Sequence, residues 1–250
     1  MKISYNYGIL IIICLLTIFY IFVRLYKRKY EYFITESWNK DTEIIVVSSH
    51  YNEELDWLEK LNVPIIVCGK DGEKPSIIKL SDKCKTKNAG YEASSYIKFI
   101  YENYNNLPKY VAFIHGHEDA WHQKKNILNV IQNRDEWINK EYYGLNEFIT
   151  GDWKKNSTSG QSRYPVLEKI WDKYFKTQLQ LDLPDELNSD CCAQFIVKRE
   201  NILKHSLETY KLWLDLLLED YKQYNIDNKD IAFGFEMVWH VIFGQPVINV

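Results

Sequence analysis

Glu43-Ile44-Ile45-Val46-Val47-Ser48-Ser49 is a run of β-branched residues without polar alternation. Such a run suits a strand covered on both faces rather than one that lies half in water. It leads into His50-Tyr51-Asn52-Glu53-Glu54, after which Leu55, Trp57, Leu58 and Leu61 have the spacing of a short helix. Pro64-Ile65-Ile66-Val67-Cys68 then repeats the strand pattern. A third strand, Tyr110 to Ile114, follows a helical face made by Ala93, Tyr96, Ile97, Ile100, Tyr101 and Tyr104 and closed by Leu107-Pro108. Strands alternating with helices predict an α/β domain, Rossmann-like in plan, with a mainly parallel central sheet and helices on both faces. In such sheets ligands gather at the carboxyl ends of the strands.

The second half reads as more helical. Ile127, Leu128, Ile131 and Ile138 predict one amphipathic helix, and the polar residues 151 to 163 a loop. Pro165 opens a helix whose Leu167, Ile170, Trp171, Tyr174 and Phe175 share a face. Ala193 to Val197 reads as a short strand followed by a long helix from about Arg199, and Phe235 to Phe243 as the last patterned segment.

Ahead of the domain, Ile9 to Val23 carries no charge, and with its flank back to Ile3 it is long enough for a membrane-spanning helix. Tyr5, Tyr7, Tyr20 and Tyr26 sit near its ends, as interfacial rings do. Residues 1–23 are therefore expected to be an uncleaved single-pass anchor, 24–42 a stem, and 43–250 the α/β domain. Arg24, Lys27, Arg28 and Lys29 follow the span and place the domain on the cytosolic side by charge bias. The sequon Asn156-Ser157-Thr158 would instead be usable only in a secretory lumen. Cys68, Cys84, Cys191 and Cys192 show no disulfide or metal spacing. The formal charge of −3 offers no sink for nucleic-acid phosphates, so no nucleic-acid partner is expected.

Chemistry concentrates at the end of the third strand, where His115-Gly116-His117-Glu118-Asp119-Ala120-Trp121-His122 holds three of the six histidines and two acids. His115 and His117 project the same way while the chain is extended, and Glu118 and Asp119 add oxygen ligands suited to a divalent cation. Asn52, at the end of the first strand, is a candidate for contact with a base or ribose, whereas Glu53 and Glu54 suit the first turn of a helix. Asn88-Ala89-Gly90 is either a capping turn or a close approach to phosphate, which Glu92 would oppose. Lys70-Asp71-Gly72, after the second strand, reads as a hairpin-like turn or a ligand contact, with the turn favoured. Glu236 and His240, four apart on a helix, fit a general base and a metal ligand. Trp121, His122 and Trp239 are candidates for the walls of the substrate cleft.

The order of these features resembles nucleotide-sugar glycosyltransferases of the GT-A type. Tyr51-Asn52-Glu53-Glu54 is similar to the end of their first strand, Asn88-Ala89-Gly90 to their Asn-x-Gly, and Phe113 to Asp119 to the strand leading into Asp-x-Asp. Ala193 to Arg199 resembles a later strand-and-helix segment, and Phe235-Glu236 the acidic motif that supplies the base. More closely, the chain resembles a glycosyltransferase-like family marked by Tyr-Asn-Glu, Asn-x-Gly-x-Glu, His-Gly-His and Glu-x-x-Trp-His. Histidines stand where the transferase motif has aspartates, which puts a carboxylate-bound cation in doubt.

The resemblance implies a membrane-anchored transferase that moves a sugar from a nucleoside-diphosphate donor to a hydroxyl of a glycan or protein acceptor. Asn52, Asn88, Gly90, His115 and His117 would then bind the donor. Glu118, Asp119 and His240 would hold Mn2+ or Mg2+ if a metal is used at all, and Glu236 would be the base. Two other classes stay open: a metal-dependent hydrolase built on the histidines, and an inactive sugar- or protein-binding module.

Overall fold

The computed structural model describes residues 11–25, 38–73, 79–120, 123–146, 149–155, 164–190 and 192–247. Residues 11–25 form helix α1, with Ile11, Leu15, Phe19 and Phe22 all exposed. No helix among the described residues is long and apolar enough to cross a membrane. The expected single-pass anchor is thereby corrected, and with it the single-pass localisation. Most of the stem and the sequon at Asn156 lie outside the described residues.

The expectation of a mainly parallel sheet is corrected as well, because the five-stranded sheet is mixed. Its order is β2-β1-β3-β7-β4. β1 (Ile44–Ser49) lies parallel to both β2 (Ile65–Cys68) and β3 (Tyr110–His115). β7 (Phe195–Lys198) runs antiparallel to β3 and to β4 (Tyr142–Gly144). The register explains the reversal. Gly144, the last residue of β4, and Phe113, near the end of β3, both pair with Phe195, the first residue of β7. The chain leaves and re-enters the sheet at one edge, so β7 must run back. The excursion between them contains a two-stranded ribbon of β5 (Ile149–Lys154) and β6 (Glu186–Asp190). A strand therefore covers residues 149–154, where the polar composition suggests a loop.

The apolar run of β1 is continuous because alternate residues feed two cores. Ile45 and Val47 face a core shared with α2 (Tyr91–Asn103), α5 (Tyr164–Tyr174), α8 (Leu207–Leu218) and α9 (Asn228–Ile242). Ile44 and Val46 face the opposite core, beneath a 3-10 turn (Asp56–Lys60), α3 (Ile127–Gln132) and α4 (Arg134–Trp137). The single helix expected across 127–138 is split because Asn133, at ψ 76°, leaves the helical region. Likewise the long helix expected from Arg199 is a short α7 (Arg199–Ile202), after which Ser206 caps a new start for α8. The short α6 (Lys176–Leu179) follows α5.

Cys68, the last residue of β2, is joined to Cys84 across 16 residues. Cys192 is also disulfide-bonded. Both findings correct the reading of these cysteines as unbridged. Bridges of this kind persist in oxidising compartments, so the cysteines give no support to a cytosolic domain.

Candidate functional site

In the parallel part of the sheet Ser49 pairs with both Cys68 and His115, so β1, β2 and β3 end side by side. Directly beyond that edge lies a cavity of about 420 Å³, within the range of small-ligand sites. β1 contributes Ser49 and the following His50, Tyr51 and Glu53; β2 is followed by Lys70; β3 contributes His115 and is followed by Gly116 and His117. Asn88, Tyr91 and Glu92 at the start of α2, with Asn228 at the start of α9, complete the wall.

The floor is fixed by hydrogen bonds from buried groups. The His115 backbone N–H donates to Gln194 Oε1 at 3.0 Å, and Gln194 Nε2 donates to Asn146 Oδ1 at 3.0 Å. Trp57 Nε1 donates to the Gly116 carbonyl at 2.9 Å. Gly116 is closely packed: a Cβ there would stand 2.9 Å from Glu53 Oε2 and 3.1 Å from the Ser49 carbonyl. The His115 and His117 rings lie 5.1 Å apart at 55°.

His50 is 3% exposed and has a carboxylate at each ring nitrogen, Glu53 at 3.1 Å and Glu73 at 3.4 Å. Partial burial opposes ionisation of Glu53, but hydrogen bonds from His50 and the Tyr51 N–H outweigh it and hold its carboxyl below the ordinary range. At Glu73 burial prevails over the attraction of His50, and the carboxyl is pushed up.

Lys70 is 3% exposed, with Nζ 2.8 Å from Thr86 Oγ1 and 2.6 Å from Ser94 Oγ. Burial pushes its amine down to about 7, against the pull of Glu92 and Glu73. Glu92 is pushed up by burial, which exceeds the stabilisation from its own backbone N–H and from Lys70.

Of the residues singled out from sequence, Asn88, His115 and His117 share the cavity. Gly90 does not line it. Its φ of +66° turns the chain into α2, and its N–H is committed to Asn228 Oδ1. The Ala89 N–H is likewise taken by the Lys87 carbonyl at 2.7 Å. This turn is thus a cap rather than a phosphate cradle. Asn52, at φ 68°, is exposed and off the wall, although its neighbours Tyr51 and Glu53 are on it.

The expected metal ligands are dispersed. Glu118 is bound by Lys60 Nζ at 2.9 Å, and Asp119 is exposed. His240 is buried with Nε2 3.2 Å from the Val247 carbonyl, and burial outweighs that bond in pushing its imidazole down to about 4. Among the described residues no three His, Cys, Asp or Glu side chains are grouped so as to hold a metal ion. Glu118, Asp119 and His240 are therefore not brought together as ligands of one Mn2+ or Mg2+ ion.

Trp239 is a core residue, 1% exposed and stacked on Phe243, not a cleft wall. Trp121 and His122 lie outside the described residues. Glu236 is off the cavity wall, half-buried in α9. Burial, reinforced by the negative charge of Glu92, pushes its carboxyl up to about 8.

Residues 45–250 match the family described as "Protein of unknown function (DUF3431)". The chain belongs to that family. No curated protein matches the chain. The matched DUF3431 region includes the main sheet, apart from Ile44 at the start of β1, and every residue of the cavity wall.

Lys70, Glu92 and Asn228 are the wall residues that sequence reading of this DUF3431 chain undervalued. The Lys70-Asp71-Gly72 string carries a turn signal that hides a lysine whose side chain runs inward. Asn228 follows the Asp227 cap of α9 and looks like ordinary helix-start chemistry. The usable signal for Lys70 was its position two residues past a buried strand, at the edge where ligands collect.

Proposed function

We propose that the protein is a glycosyltransferase whose nucleoside-diphosphate sugar lies in the cavity across the ends of β1, β2 and β3. The observation that supports this reading is the convergence of Asn88, His115 and His117 on one hollow at the carboxyl edge of three parallel strands. Asn88 and Asn228 offer carboxamides to a base or ribose. His115 and His117 face the diphosphate and stabilise charge as it develops on the leaving group.

Glu92 is the base in this reading, in place of Glu236: the wall carries two carboxylates, Glu53 and Glu92, and Glu53 is engaged by His50 and the Tyr51 N–H. The acceptor oxygen bonds to the anomeric carbon, and the bond from that carbon to the diphosphate oxygen breaks. The nucleoside diphosphate leaves with the bonding pair, and the acceptor proton passes to Glu92. Glu236, pushed up to about 8 by burial and by the nearby Glu92, stays protonated near neutrality and is not the proton acceptor of the pair. Inversion at the anomeric carbon is expected from the resemblance alone.

The reading is tested by following thermal unfolding of the purified chain with a panel of nucleotide-sugars, each with and without Mn2+. A rise in the midpoint with one donor class supports it, and no rise with any donor rejects it. The Mn2+ arm shows whether a cation accompanies the donor.

A further inference from the structure

We infer that Lys70, held by Thr86 and Ser94 at the end of β2, is the residue that grips a phosphate of the ligand. The inference rests on the donor-binding reading of the cavity and assigns the anion contact within it.

The turn that opens α2 offers little in competition. In the turn before α2 the N–H groups of Gly90 and Ala89 are spent on Asn228 Oδ1 and on the Lys87 carbonyl. At the first turn of α2, Glu92 accepts from its own N–H and places a carboxyl group where a phosphate would otherwise dock. An ammonium has three N–H donors, and two of those of Lys70 go to Thr86 Oγ1 and Ser94 Oγ. Because Lys70 lines the cavity, the third is left for a ligand there. A buried, bonded amine loses little further freedom on binding, unlike a surface lysine, so the contact is pre-organised.

Burial that pushes the amine down to about 7 couples phosphate binding to a proton. Above that pH an anion must bring a proton onto Nζ, and binding weakens as pH climbs. The other groups facing this amine are Glu92 from α2, Glu73 beyond β2, and the hydroxyls of Thr86 and Ser94. His50 stands behind Glu73, and His115 and His117 close the far wall. Glu92 also takes up protons readily, so the coupling has to be assigned with a variant.

Titration calorimetry of the full chain with inorganic pyrophosphate, UDP and GDP, in two buffers of different ionisation enthalpy at pH 7.5, tests the inference. The wild type is expected to bind pyrophosphate or a nucleoside diphosphate with proton uptake. Lys70→Met, which keeps the length and apolar bulk of the side chain, is expected to bind at least tenfold more weakly and to lose most of the uptake. Should that variant fail to fold, Ser94→Ala keeps the amine and removes one partner, and a several-fold loss is expected. Wild-type affinity in either folded variant overturns the role of Lys70 and leaves the transferase reading standing. Failure of the wild type to bind pyrophosphate and both nucleotides overturns the two together.

Discussion

Glu236 lies within electrostatic reach of Glu92 across the packed faces of α9 and α2. Burial, with the negative charge of Glu92 added to it, lifts the Glu236 carboxyl from the ordinary 4.5 to about 8. Between those values the folded chain keeps a proton that the unfolded chain gives up, so stability is lost as pH rises through this window. Replacing Glu236 by Gln is expected to flatten that loss. Urea midpoints at pH 5, 6, 7 and 8 measure it, and an unchanged pH slope in Glu236→Gln would show that Glu236 does not hold a proton in the folded chain.

The Cys68–Cys84 bridge supports both the fold and the cavity. Lys70 and Thr86 each lie two residues beyond a bridged cysteine and pair with each other, and the Asp71 N–H donates to the Thr86 carbonyl at 2.9 Å. Removing a bridge that closes a loop of this size costs about 3 kcal/mol, or roughly 6–12 °C in unfolding midpoint for a domain of this length. The Cys68→Ser/Cys84→Ser double variant is therefore expected to melt earlier and also to bind phosphate ligands more weakly. Calorimetric melting and a pyrophosphate titration check the two parts separately.

Gly116 separates the two cavity histidines. A methyl group there would press on Glu53 Oε2 and the Ser49 carbonyl, and the carbonyl cannot move without bending β1. Gly116→Ala is expected to destabilise by about 1–3 kcal/mol and to displace His115 and His117 from their common wall. Denaturant unfolding measures the first effect. A midpoint equal to that of the wild type would mean that the loop has room which the close approach denies.

The sheet strands were legible wherever both faces are buried. Ile44 to Ser49, Ile65 to Cys68 and Tyr110 to His115 are apolar runs that no other element accommodates so well. Strand direction was not legible, because β7 runs antiparallel only by virtue of the path from Gly144 to Phe195, which composition does not record. The histidine pair at the end of β3 was legible because alternation along an extended chain puts His115 and His117 on one side. Glu236 and His240 illustrate the opposite case. Helical spacing groups them, yet partners outside the helix, Glu92 for one and Val247 for the other, decide where each belongs. The bridge from Cys68 to Cys84 was hidden because the two lie 16 apart in sequence, a spacing that signals no disulfide, and only the fold brings them together.

The claim on which the account depends is that the cavity holds a nucleoside-diphosphate sugar and uses Glu92 to activate its acceptor. Release of nucleoside diphosphate, followed for each donor in the panel with wild type, Glu92→Gln and Glu118→Gln, tests it most directly. The account predicts release from one donor class, a fall of about a hundredfold or more in Glu92→Gln, as removal of an acid–base group gives, and little change in Glu118→Gln. Absence of release from every donor, or undiminished release by Glu92→Gln, would contradict it.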